Sequence, residues 1–275
     1  MSMADSDHQQ EQPAASSPSM PEVNAISVAD LKSALKQGLA DFGRAPLYGL
    51  FFGGVFALAG LLIILAVTRW DMPWLIYPFA IGFPLVGPFA AVGLYEVSRR
   101  LQSGEPLSWG AVLGFVWQQR FRELSWMAFV MLFIFWIWMY QIRLLIAIVL
   151  GRMSFSTLDR FLEIVFTTPT GWLFLAIGHV VGAVLAMILF SVTVISIPLL
   201  MERELDIVTA MITSFKAVLA NPPVMLGWGI IVTLAVLLAS VPLFLGHLVV
   251  LPVLGHATWH LYKKTVKPAS GEALA

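Results

Sequence analysis

The chain has 275 residues, of which 59% are hydrophobic and 12% charged, with no net charge, no cysteine and a mean hydropathy of +0.86. Soluble domains carry about 25% charged residues, so this composition places the chain in a membrane. Electroneutrality argues against a nucleic-acid partner, and the lack of cysteine excludes disulfides, thiolate metal sites and thiol catalysis.

Residues 1–24 are polar and rich in Ser, Gln, Pro and Ala, which predicts a disordered tail, and residues 266–275 read the same way. Residues 25–265 read as a single membrane domain. Its first expected element is an amphipathic helix opened by Ser27 and Asp30 as a capping pair. Val28, Leu31, Ala34, Leu35, Leu39 and Phe42 share one face, with Lys32, Lys36 and Asp41 elsewhere. Too polar to span, this helix is expected to lie in the interface plane. Two spans follow, Leu47–Val67 and Pro73–Tyr95, joined by a turn whose Trp70 and Trp74 suit headgroup level. Ser108 then caps a second interfacial helix with Trp109, Val112, Leu113, Val116, Trp117 and Phe121 on its apolar stripe. The third span, Leu124–Leu150, holds Trp136, Trp138, Gln141 and Arg143. A loop with a short surface helix near Phe161–Phe166 leads to the fourth span, Gly171–Leu200. The charged turn Glu202–Asp206 opens a third amphipathic stretch, Leu205–Leu219. From Pro222 to Tyr262 no residue carries a fixed charge, which is twice the roughly 20 residues a span needs. Spans five and six are therefore expected at Val224–Val241 and Pro242–Tyr262.

The predicted fold class is an all-α polytopic membrane protein, with six transmembrane helices as three hairpins, each preceded by an interfacial amphipathic helix. The repeat-like units are 25–100, 106–203 and 204–264. Pro84-Leu85-Val86-Gly87 matches Pro252-Val253-Leu254-Gly255, and each is followed by a tyrosine (Tyr95, Tyr262) and a basic pair (Arg99-Arg100, Lys263-Lys264). Chance likeness between apolar segments is the alternative. With the termini inside, twelve Lys and Arg fall on inner segments and three on outer loops. This positive-inside bias predicts that both termini are cytoplasmic.

The runs Ile197–Arg203, Ala210–Ser214, Ala217–Pro222 and Leu251–Tyr262 resemble a bacterial family of integral membrane proteins catalogued as domain of unknown function family 2189. The resemblance extends from about Ala25 to Lys267. It implies a multi-pass protein of the bacterial inner membrane and supplies no activity, cofactor or site residues. Some members bear the label of cytochrome c oxidase subunit I, but the intramembrane histidines here are too few for a haem–copper centre.

Four histidines carry the sharpest chemical candidates. His179 in the fourth span and His247 in the sixth fall at similar depth, which suits two axial haem ligands, and hydrogen bonding across helices is the alternative. His256 and His260, four apart on one helix face, suit a shared metal. Arg143 reads as a snorkelling side chain or an intramembrane charge with a role. The midplane breaks Pro84, Gly87, Pro252 and Gly255, with His256, suit either two packed kinks or a substrate site on a pseudo-symmetry axis. No catalytic motif is visible. The expectation is a non-enzymatic membrane protein without a cofactor that organises or assists a membrane complex. Its partners are the lipid bilayer and another membrane protein or a second copy. The alternatives are a carrier for a small molecule or lipid and a haem-binding redox accessory protein.

Overall fold

The computed structural model describes residues 20–70, 76–151 and 158–268. The chain folds as helices α1 (Val28–Arg44), α2 (Pro46–Thr68), α3 (Ile76–Ser103), α4 (Trp109–Gln118), α5 (Leu124–Leu145), α6 (Leu158–Thr167), α7 (Pro169–Thr193), α8 (Ser196–Glu202), α9 (Ile207–Ala220), α10 (Pro222–Ser240) and α11 (His247–Thr265). A π-helical turn, Ile146–Leu150, prolongs α5. The expected caps form: Ser27 and Asp30 bond each other's backbone N–H, Ser108 Oγ accepts from Ala111 N, and Asp206 caps α9.

Four stretches among the described residues are long and apolar enough to cross a membrane: Pro46–Thr68, Leu124–Leu150, Pro169–Glu202 and Pro222–Ser240. The expected second and sixth spans are helices that do not meet that measure. The last third of α3 carries Glu96, Arg99, Arg100 and Gln102, and α11 carries His247, His256, His260 and the Lys263-Lys264 pair.

Two boundaries move for identifiable reasons. The fourth stretch bends at Val194–Ile195, because Pro198 lacks an N–H and its ring clashes with the carbonyl of Val194, four residues earlier. Ile195 N instead donates to Ser214 Oγ of α9 at 3.1 Å. The last helix begins at His247, five residues after the expected Pro242. Leu243 (φ 53°) and Phe244 (φ 65°) take left-handed backbone that costs a residue bearing a Cβ. The Phe244 ring is seated on Gly60 of α2, where an added Cβ would lie 2.2 Å from ring carbon Cγ, and it stacks on His247.

The chain's own core lies at one end. There α1 runs along the C-terminal half of α11, and α2 runs along its N-terminal half. Gly38 faces the backbone of Ala257 and Val253, and Gly53 faces the carbonyl of His247. The buried side of α1 is Leu31, Ala34, Gly38 and Asp41, while Val28 and Leu39 point outward. On α9, likewise, Ala210, Thr213, Ser214 and Ala217 are buried, and Val208, Ile212, Phe215 and Leu219 are exposed. The faces differ from the expected ones because close helix approach selects small residues and leaves the bulky apolar ones for lipid. The elbows before the two following spans match: Ala45 has φ −133° and ψ 54°, Asn221 has φ −131° and ψ 51°, and a proline follows each.

The ordered region is wider than expected at both ends. Val23 bridges Val266, Asn24 N donates to Thr265 O at 2.8 Å, and Lys267 N donates to Glu22 O at 3.0 Å. Residues 1–19 and 269–275, the rest of the expected tails, lie outside the described residues.

Candidate functional site

The end of α3 builds a polar cluster from a one-turn spacing. Glu96 is fully buried, and residues three and four positions on reach back to it, with Arg99 Nε at 2.7 Å and Arg100 Nε at 2.6 Å. Gly104, at φ +70°, turns the chain so that Glu105 meets Arg99 Nη1 at 2.6 Å. The hydrogen bonds that Arg99 donates to Glu96 and then Glu105 raise its pKa further, and the same Arg99 bond lowers that of Glu105. Glu202 accepts from Tyr262 and, at 2.6 Å, from Lys263. The last residue of α8 thus ties down α11.

Beside it lies a relay fixed by donor chemistry. The Trp259 indole can only donate, so the atom it meets at 2.8 Å is Gln102 Oε1. Gln102 Nε2 then donates to His260 Nδ1 (3.2 Å), which leaves the proton on His260 Nε2, 2.6 Å from Asp41 Oδ2. His260 is therefore a hydrogen-bonded linker with both ring nitrogens engaged. Burial pushes the Asp41 carboxyl up, but bonds from His260 and Ser98 and the nearby imidazoles outweigh it, and the net shift is downward. Ser98 Oγ lies 2.8 Å from His256 Nδ1, and His256 Nε2 is buried without a hydrogen-bond partner among the described residues. The pair proposed for a metal thus offers one free ring nitrogen, and no group of three or more potential ligands occurs among the described residues.

The other candidates separate. His256 meets Ser98, fourteen residues along α3 from Pro84, or about 21 Å at 1.5 Å per residue. Pro252 packs on Gly49 and Gly53 of α2, Gly255 faces Leu94 of α3, and Gly87 faces Met131 of α5. The two glycines of the Pro-to-Gly breaks thus face different helices. His247 is the first residue of α11, buried, with Nδ1 3.1 Å from Phe244 O. His179 lies on α7, which packs on α5, α6 and α9 and not along α11, so the two residues have different neighbours. Arg143 is exposed near the end of α5.

Two cavities accompany these features. One, of 610 Å³, opens beside the polar cluster between Arg99, Gln102, Glu202, Trp259 and Lys263. The other, of 800 Å³, is an apolar groove between α5 and α7, lined among others by Phe135, Trp138, Gly178, His179 and Gly182. Asp41, Glu96, Ser98, Gln102 and Glu202 are site residues that sequence reasoning missed. Only Glu96 left a trace, its position one turn before two arginines.

The fold defines an integral membrane protein, all-helical among the described residues apart from one isolated bridge. Residues 76–202 match the family described as "Predicted integral membrane protein (DUF2189)", which bears out the family resemblance over just under half of the chain. The matched stretch is narrower than the expected Ala25–Lys267, and most of the motif residues that suggested it lie beyond Glu202. No curated protein and no solved structure matches the chain.

Proposed function

We propose that this is a non-enzymatic integral membrane protein that organises or assists a membrane complex through one face of α5. The observation that carries this reading is an outward stripe of Trp126, Phe129, Phe133, Trp136 and Tyr140, spaced alternately by three and four residues. That spacing is the seam along which two helices pair. Each member is more than half exposed, and only 6% of the most apolar window of this span is buried within the chain. Tryptophan ordinarily gathers at membrane interfaces, yet Trp136 lies twelve residues, about 18 Å, into the helix. A partner helix in the bilayer gives these rings a reason to be there.

The same reading holds that the spans number six, as three hairpins in related units, in a bacterial inner membrane with both termini cytoplasmic. The matching elbows at Ala45 and Asn221 support the repeat, and the excess of Lys and Arg on alternate segments supports the orientation. In the turn that follows α4, Arg120 stacks on Trp117 and Phe121 at 3.7 and 3.9 Å, and both rings are exposed, which supports a place at the headgroups. Reporter fusions after Arg100, Glu204 and Lys264 should read cytoplasm, and those at Arg69 and Gly151 the opposite side. For the pairing, a photo-crosslinking residue at position 133 should trap one defined protein in living cells, while one at Leu234 of α10, equally exposed, should trap only lipid. Equal trapping at both positions would overturn the proposal.

A further inference from the structure

We propose that the groove between α5 and α7 is a binding site for a lipid bearing a hydroxyl group. The chain would lie between the helices, and the hydroxyl would sit between His179 and Trp138. The site faces away from the aromatic stripe: groove positions Met131, Phe135, Trp138 and Ile142 occupy the opposite side of α5, so this inference does not depend on the pairing proposed above.

The polar chemistry selects the ligand. His179 Nδ1 lies 2.7 Å from Leu175 O. A carbonyl only accepts, so Nδ1 carries the proton and Nε2 presents a lone pair that meets no partner among the described residues. Trp138 Nε1, a donor only, is likewise without a partner, and a Cβ built on Gly182 would lie 3.9 Å from it. Gly182 is three residues from His179, so an unmet acceptor and an unmet donor lie within about one helical turn of each other. His179 is ten residues, about 15 Å, past Pro169, within the apolar stretch Pro169–Glu202, and in lipid a polar group finds few other partners. A hydroxyl is the smallest group that donates to one and accepts from the other. The remaining wall is apolar, and 800 Å³ suits a chain. Gly182 lines the groove without a side chain, and one added there would reach toward Trp138.

The test uses the full-length protein in phosphatidylcholine nanodiscs with three diazirine probes of equal length: a long-chain alcohol, its methyl ether and the alkane. The alcohol should label peptides spanning 135–142 and 175–186 about tenfold more than the ether, as expected for hydrogen bonds the ether cannot complete. His179→Phe should bring the alcohol down to the level of the ether, and Trp138→Phe, which keeps the wall, should reduce it in part. Gly182→Leu should remove groove labelling by all three probes. Equal labelling by alcohol and ether in the unmodified protein, as for an annular chain beside a trapped water, overturns the proposal. So does alcohol labelling that survives His179→Phe. Crosslinking at position 133, read in the same samples, reports the other face separately.

Discussion

The end where Val23 meets Val266 and the helices that run away from it are built on different rules. At that end Glu96, Asp41 and His260 are buried and answered by partners, and α1, α3 and α11 touch through glycine and alanine. Along the spans the chain covers little of itself, 28% of the most apolar window in α2 and 6% in the span built on α5. In the first region each buried charge depends on a partner placed for it. The second is left for lipid or another protein to cover, and there exposure marks where the molecule meets its surroundings.

The sharpest way to break that contrast is Glu96→Ala. It leaves two guanidinium groups without the carboxylate they share, and removal of one partner from a buried pair costs about 3 kcal/mol or more. A large fall in melting temperature in mild detergent is expected, and an unchanged melt would mean that the pair is effectively solvated. Next comes Gly38→Ala, whose Cβ would lie 2.6 Å from the backbone nitrogen of Ala257. The expected loss is about 1–3 kcal/mol, since backbone cannot give way as a side-chain tip can. Gly43, on the same helix, would meet nothing within 4 Å, and Gly43→Ala should stabilise by up to about 1 kcal/mol through helix propensity. Equal effects at the two positions would deny that α1 packs on α11.

A smaller effect concerns pH. The Asp41 pKa lies below the ordinary aspartate value of about 3.9, so its contribution is fully present above that value. It is lost as pH falls through the depressed native pKa, because protonation removes the carboxylate that His260 donates to. Asp41→Asn should flatten the acid limb of a melting-temperature profile and leave the neutral limb parallel. An acid limb of unchanged slope would place Asp41 in solvent.

How much of this was legible follows from the range of each interaction. The spans built on α2, α5 and α10 were placed within a few residues, because apolar runs bounded by proline or charge are local signals. The sequence places a tight turn at Ser240-Val241-Pro242 but not its extension to α11, because Leu243 and Phe244 are as apolar as a span, and only their φ values and the seat on Gly60 reveal it. The break before α8 was encoded in Pro198, whose effect falls four residues upstream. The buried face of α1 keeps Leu31 and Ala34 of the expected stripe but turns toward Gly38 and Asp41, and that of α9 turns toward Ala210, Ser214 and Ala217, since a hydrophobic stripe announces where bulk lies and not which neighbour approaches. Asp41 and His260 were beyond reach for the plainest reason: 219 residues separate them. His256 and His260 drew attention as a ligand pair, yet the atoms that answer them belong to α1 and α3.

The smallest expected effect on stability is at Phe133, and it sharpens the contrast most. Phe133 is 58% exposed, near the middle of a span that covers almost nothing of its own chain. If its environment is lipid or a partner, Phe133→Leu exchanges one apolar surface for another, and the isolated protein should melt within about 0.5 kcal/mol of the original. The effect should appear instead in retention of the partner, because the seam depends on the shape of an aromatic side chain and lipid does not. Co-purification from cells carrying Phe133→Leu, compared with Leu234→Phe as an equally exposed control, measures this directly. A loss of stability above about 1 kcal/mol in the isolated protein would mean that α5 is packed within the chain, and the stripe would then belong to the fold.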